Sequence, residues 1–282
     1  MWEKSRGRRP KLGQHFLADA GVRARLLQRL EIRAQDCWLE IGSGHGEMTL
    51  SLAQQSAQVV AVEKDAALAR ALREKLRGQA GCTVVETDIL KVSAATLAQQ
   101  FGVRRWRVYG NLPYYITSPI LRRLFAALDV IADIHVVVQR EVALRLTAEP
   151  GRRDYGYLSV LTQFYTTPAL LEPIPRGAFQ PPPKVESALV RLTPPGARER
   201  LAISEPEAFL VFLQTCFRHK RKTLRNNLSG AWPSKQVEAT LAQASLTSRS
   251  RAEELTLEQF TKLFHLLPAS WSKRSKIARH LH

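Results

Sequence analysis

Along the first two-thirds of the chain, short β-branched and apolar runs alternate with longer stretches whose apolar positions recur every three or four residues. The runs at 37–41, 59–63, 83–86, 107–109 and 133–139 predict strands. The stretches at 48–54, 66–77, 92–100 and 119–128 predict helices between them. Alternation of this kind argues for a parallel sheet covered by helices. Two further runs, at 158–165 and 185–192, read as strands joined by a Pro-rich loop. The pattern changes at Thr193-Pro194-Pro195-Gly196. Beyond it only helical stretches occur, at 206–228, 235–243 and 257–266. The predicted organisation is an α/β domain, residues 1–194, and a small C-terminal all-helical domain, residues 195–282.

Composition narrows the class. The chain has 282 residues, 45% of them hydrophobic, enough for a core in each domain. Lys and Arg number 42 against 25 Asp and Glu, a net charge of +17, so polyanions are the expected partners and nucleic acid leads. No uncharged apolar run reaches the ~18 residues that a membrane span needs, and no membrane role is expected. The basic N-terminal segment (Lys4, Arg6, Arg8, Arg9, Lys11) has no apolar stretch behind it and does not read as a secretory signal; the expected location is cytoplasmic. Cys37, Cys82 and Cys216 are odd in number and far apart, which predicts reduced thiols and no metal site.

The candidate chemistry sits at predicted strand ends. Leu39-Glu40-Ile41 runs into Gly42-Ser43-Gly44-His45-Gly46, a turn whose glycines permit close approach of a ligand to the backbone. Glu63 ends the next strand, where a carboxylate can accept from both hydroxyls of a ribose. Asp88 follows the third strand in the equivalent place. Alone, each carboxylate reads as a solvated strand end. Together with the loop they outline a nucleoside site, since open α/β sheets bind ligands at strand C-terminal ends.

Asn111-Leu112-Pro113-Tyr114 follows the fourth strand. The Asn111 side-chain carbonyl and the Leu112 backbone carbonyl can accept the two hydrogens of an exocyclic amine. Pro113 fixes the main chain so that both oxygens converge. Tyr114 offers a ring for stacking, and Phe179 is the second stacking candidate. In the C-terminal part, Arg218, Lys220, Arg221, Lys222 and Arg225 form the most basic stretch. On a continuous helix Arg218, Arg221, Lys222 and Arg225 share one face, opposite Leu213, Phe217, Leu224 and Leu228. This predicts an amphipathic helix whose cations meet phosphates. Lys273, Arg274, Lys276 and Arg279 would add a basic arm.

These residues resemble the class I S-adenosylmethionine-dependent methyltransferases. More narrowly, they resemble the rRNA adenine dimethyltransferases of the KsgA/RsmA type, relatives of the Erm and Dim enzymes. The carrying motifs, in order, are Gly13-Gln14-His15-Phe16-Leu17, Glu40-Ile41-Gly42-Ser43-Gly44, Gly110-Asn111-Leu112-Pro113-Tyr114, Gln139-Arg140-Glu141, and Phe179-Gln180-Pro181-Pro182-Pro183-Lys184-Val185. Arg218 to Arg225, with Asn226-Asn227 behind it, completes the set. The resemblance implies a Rossmann-like sheet, mostly parallel with one antiparallel strand, and S-adenosylmethionine as cofactor. It implies that His15 and Leu17 touch the cofactor and that Gly42, in the loop with Gly44, meets its methionine end. Glu63 would hold the ribose, Asp88 the adenine ring, and Asn111 would lie beside the reactive methyl. His15 stands where many relatives have Asn, and Arg140 where they often have Lys. The implied activity is N6,N6-dimethylation of two adjacent adenosines in a 3'-terminal hairpin of 16S rRNA, in the small ribosomal subunit or its precursor. A role in 30S biogenesis and a monomeric state are implied with it. Three other readings compete: an Erm-like enzyme acting on large-subunit rRNA, a non-catalytic assembly factor, and a nicotinamide-dependent dehydrogenase. The G-x-G-x-G spacing and the Asn-Leu-Pro-Tyr motif speak against the last.

Overall fold

The computed structural model describes residues 15–267. Its elements, in chain order, are β1 (Phe16–Leu17), α1 (Ala20–Leu30), β2 (Cys37–Ile41), α2 (Glu47–Ala53), β3 (Gln58–Glu63), α3 (Ala66–Lys75) and β4 (Cys82–Glu86). There follow α4 (Ala94–Phe101), β5 (Trp106–Asn111), α5 (Thr117–Phe125), β6 (Ile131–Gln139), α6 (Arg140–Thr147), α7 (Tyr157–Tyr165), β7 (Thr167–Ile174), β8 (Phe179–Gln180) and β9 (Ser187–Thr193). The last five are α8 (Ala197–Leu201), α9 (Pro206–Cys216), α10 (Leu224–Leu228), α11 (Ser234–Gln243) and α12 (Leu257–Leu266).

The chain forms two compact units, one of residues up to Ala143 with Ala169–Leu192, the other of Leu144–Pro168 with the chain from Thr193. The first unit carries a seven-stranded sheet in the order β4-β3-β2-β5-β6-β9-β7. Its β2–β3, β3–β4, β2–β5 and β5–β6 pairs are parallel, and β9 joins β6 antiparallel. Strands β2, β3 and β6 are near-continuous buried runs, as parallel strands covered on both faces must be. Strand order reverses between β2 and β5, which opens a crevice outside their C-terminal ends. Helix starts follow local chemistry. The Asp65 carboxylate accepts from the Ala67 and Leu68 amides to begin α3, and the Ser93 hydroxyl accepts from the Thr96 amide to begin α4. No predicted element covers α1, although Val22, Leu26 and Leu30 recur at helical spacing and are buried.

Two rows of polar residues cross the buried sheet in register. One is Trp38, Arg107 and Asp133; the other is Glu40, Tyr109 and His135. Glu40 is 2% exposed, and its Oε2 has no hydrogen-bond partner. Burial, aided by Glu47 and Glu63 and opposed by Thr49, pushes its carboxyl up to about 8, well above the usual carboxylate range.

The second unit corrects one predicted strand. Residues 158–165 lie in helix α7, whose Val160, Leu161 and Phe164 are buried. A short apolar run fits either a buried strand or a buried helix. Here its partners are helices: Val160 and Phe164 share a core with Phe209, Phe212 and Phe260. The Tyr155 hydroxyl donates to the Leu255 carbonyl at 2.8 Å. Residues 144–168, assigned by the sequence reading to the α/β domain, therefore pack with the C-terminal helices.

Candidate active site and basic loop

Outside the C-terminal ends of β2–β5 lies a cavity of about 380 Å³. It brings together His15, Gly42, Gly44, Glu63, Asp88 and the Asn111-Leu112-Pro113-Tyr114 segment. Two backbone positions make the loop fit. Gly42 and Gly44 have φ of 71° and 56°, in the left-handed region that favours glycine. A Cβ on Gly44 would come within 3.0 Å of the Phe16 ring. Glu63 is buried, and each of its oxygens is oriented by a backbone N–H: Oε2 accepts from Gly44 at 2.9 Å and Oε1 from Asp65 at 2.8 Å. The carboxylate thus ties the Gly-rich turn to the end of β3. Asp88 accepts from the Leu90 amide at 3.0 Å, and its Oδ2 lies 2.7 Å from the Lys64 ammonium. Lys64 first, then the Leu90 N–H, holds its carboxyl below the usual range.

The Asn111 amide is fixed in orientation. Its Nδ2 donates to the His15 carbonyl at 2.8 Å, which leaves Oδ1 as the acceptor. The Leu112 amide donates to Val137 at 3.1 Å and anchors the segment to β6. Tyr114 is half-buried; its hydroxyl is 3.0 Å from Ser187 Oγ, and its ring stacks on His15 at 5.6 Å between centroids. His15 Nδ1 is in turn 2.8 Å from the Pro181 carbonyl.

Two expected contacts fall elsewhere. Leu17 is 6% exposed and belongs to the core, because side chains alternate along β1 and Phe16 is the one that faces the cavity. Phe179 is 3% exposed, paired in register with Leu17 in the small β1–β8 sheet, and packs in the same core. It presents no face to the cavity and anchors the Pro-rich segment instead. Among the lining residues that sequence reasoning did not single out are Phe16, Lys64 and Tyr115. Phe16 was readable from the period of two once Leu17 is placed inward. Tyr115 and Lys64 adjoin selected residues and carry no signal of their own.

In the second unit the predicted helix 206–228 breaks. Helix α9 ends at Cys216, and α10 begins at Leu224 after the Thr223 hydroxyl accepts from the Asn226 amide. Four cations and a histidine in succession are poor helix material, since like charges three and four apart repel. Buried Asn227 stabilises the turn: its Nδ2 donates to the Cys216 carbonyl at 2.8 Å and to that of His219 at 3.3 Å, and its Oδ1 accepts from the His219 amide at 3.2 Å. Arg218, Lys220, Arg221 and Lys222 are exposed on this loop. Arg225 departs from the set: its Nε donates to Glu238 at 2.6 Å, an acid from α11 that sequence spacing could not bring near. The basic segments at 4–11 and 273–279, and Gly13-Gln14, lie outside the described residues.

A mostly parallel sheet with one antiparallel strand, a Gly-rich turn after β2, acids after β3 and β4 and an Asn-Leu-Pro-Tyr segment after β5 define a class I methyltransferase. A family model for ribosomal RNA adenine dimethylases matches residues 6–268. The ribosomal RNA small subunit methyltransferase A of Acidobacterium capsulatum is 39% identical over 260 residues, covering 92% of this chain and 91% of the relative. That of Nitrosococcus oceani is 40% identical over 255 residues, covering 90% and 94%. Among solved structures, the 23S rRNA methyltransferase ErmE has a TM-score of 0.67 at 30% identity, over 89% of this chain and 99% of that one. A dimethyladenosine transferase from Plasmodium falciparum superposes with a TM-score of 0.75 at 23% identity, over 88% and 96%, and shares the fold. The chain belongs to the ribosomal RNA adenine dimethylase family.

Proposed function

We propose that the protein uses S-adenosylmethionine to dimethylate N6 of adenosines in the RNA of the small ribosomal subunit. The observation that carries this is the Asn111 amide. With Nδ2 committed to the His15 carbonyl, its remaining oxygen is free to accept from an amine, and Asn111 lines the cavity. The cavity fits the cofactor: its volume is in the range of small-molecule sites, its turn backbone is open at Gly42, where a Cβ would meet nothing nearer than 3.9 Å, and Glu63 and Asp88 supply acceptors. The cofactor supplies an electrophilic methyl on a cationic sulfur. Asn111 Oδ1 and the Leu112 carbonyl would accept hydrogen bonds from the adenine amine and turn its lone pair toward that methyl, and the methylated nitrogen then loses its proton to solvent. Positioning and carbonyl dipoles then provide the catalysis.

The target base is extruded to reach such a pocket and stacks on Tyr114. Stacking contributes ~1–3 kcal/mol per base. Tyr114→Ala is therefore expected to lower kcat/KM for RNA roughly 10- to 100-fold, while Tyr114→Phe, which keeps the ring, stays close to wild type. Equal rates for wild type and the Ala variant would remove Tyr114 from the base contact.

The loop of Arg218, Lys220, Arg221 and Lys222 supplies phosphate contacts in this reading. RNA affinity should fall steeply with salt, and replacing the four by Ala should flatten the plot of log affinity against log salt by up to about 3. An unchanged slope would show the loop to be a solvated turn. The finer assignment is to two adjacent adenosines in a 3'-terminal hairpin of 16S rRNA, with a contribution to 30S biogenesis. The reading is tested by transfer of labelled methyl to unmethylated small subunits, followed by nucleoside analysis. Dimethyladenosine in the small-subunit RNA supports it. The likeness to ErmE favours one second reading, in which label enters large-subunit RNA instead.

A further inference from the structure

Lys64 is used neither by the fold nor by the chemistry just described. It follows Glu63 at the end of β3, its side chain is 72% exposed, and its ammonium lies 2.7 Å from Asp88 Oδ2. The other Asp88 oxygen accepts from the fixed Leu90 N–H at 3.0 Å. Asp88 is thus held on one side by backbone and on the other by a movable cation. The ion pair reaches from the end of β3 to the end of β4, and Lys64, Asp88 and Ile89 all line the cavity there. An amine donor that approaches Oδ2 meets an ammonium already in place.

We propose that Lys64 is an affinity-setting residue of the cofactor site: its ammonium must leave Asp88 Oδ2 before the adenine amine of the cofactor takes that oxygen. The inference rests on the reading of the cavity as an S-adenosylmethionine site. An exposed ion pair is weak, so the competition is modest and the pair opens readily. It lowers affinity for cofactor and for its demethylated product alike, and so favours product release between the two methylation rounds.

The test is calorimetric titration of the full-length protein with S-adenosylhomocysteine, a net-neutral probe whose own charge adds little salt dependence. Wild type, Lys64→Met, Asp88→Asn and the double variant are compared at roughly 50 and 500 mM salt. Lys64→Met keeps the aliphatic stem and removes the charge. It is expected to bind about two- to five-fold more tightly than wild type at low salt. Wild-type affinity should climb toward the variant's as salt screens the pair, while the variant's stays flat. Lys64→Met should bring no gain on top of Asp88→Asn, an outcome that a general effect of surface charge would not produce. Equal or weaker binding by Lys64→Met, with wild type binding normally, overturns the inference and leaves the cofactor site standing. No binding by wild type overturns the cofactor reading and this inference with it.

Discussion

Asn111→Ala is expected to lower methyl transfer by about 10²- to 10³-fold, the loss typical when one preorganised polar group is removed from a reacting centre. Two consequences of the geometry add up in this variant. The acceptor for the adenine amine disappears, so the nitrogen is no longer oriented. The His15 carbonyl also loses its donor at 2.8 Å, which loosens the segment that carries Phe16 over the Gly-rich turn. In the proposed reading the cofactor's ribose and adenine are held by Glu63, at the end of β3, and Asp88, after β4, both away from Asn111 in the chain, so affinity for S-adenosylhomocysteine should change only a few-fold. Asn111→Asp separates the two effects. It keeps an acceptor oxygen but cannot donate to His15, and it sets a negative charge against that carbonyl. Its rate should fall between those of wild type and Ala. Single-turnover transfer of labelled methyl at saturating cofactor and RNA makes the measurement. A wild-type rate in Asn111→Ala would discard the amine-acceptor mechanism, because no other oriented side-chain amide lines the cavity among the described residues.

Much of this site was legible before any coordinates. Glu63, Asp88 and Asn111 end or follow successive strands, and open α/β sheets gather such residues at one edge. What escaped detection depended on direction or on distant partners. Leu17 and Phe16 differ by one position, yet a strand sends neighbours to opposite faces, and only the core packing of Leu17 tells which is which. Phe179 has the right chemistry for stacking but is buried against that same strand. Arg225 looked free because its acid, Glu238, is thirteen residues away on another helix. Residues 158–165 show the limit of periodicity: their composition suits a strand, and the helical neighbours of the second unit decide otherwise.

Arg107→Met should cost about 2–4 kcal/mol, somewhat below the ~3–5 kcal/mol for breaking a fully buried ion pair, because Arg107, Asp36 and Asp133 are only partly buried. Arg107 stands near the start of β5, at the end of the sheet away from Asn111. Its Nε donates to both Asp133 oxygens at 3.1 Å. Its Nη1 donates to Asp36 at 2.7 Å and to the Glu31 carbonyl at 2.9 Å, and its Nη2 donates to the Leu30 carbonyl at 2.7 Å. The guanidinium also lies 4.5 Å above the Trp38 ring. One planar fork thus joins α1, the loop before β2, and β6. Lys has a single point charge and should rescue little. The expected fall in the melting midpoint of the first unit is roughly 4–16 °C. The acid side gives the sign. Burial pushes the Asp133 carboxyl up, but His135 and Arg107 outweigh it and hold it below the ordinary value of 3.8. Its stabilising contribution is therefore complete above that value and is lost as pH falls through the lower folded value. Without Arg107 burial is opposed by His135 alone, the folded carboxyl moves back toward its ordinary value, and the acid-linked loss shrinks, so the stability gap between variant and wild type should narrow as pH falls. Urea titrations at several pH values between about 3 and 6 measure both effects. Methyl transfer well below the melting transition should stay near wild type, since the fork contacts none of the residues lining the cavity. A variant as stable as wild type, with the same acid profile, would mean that Asp36 and Asp133 find other partners and that the fork does not join these elements.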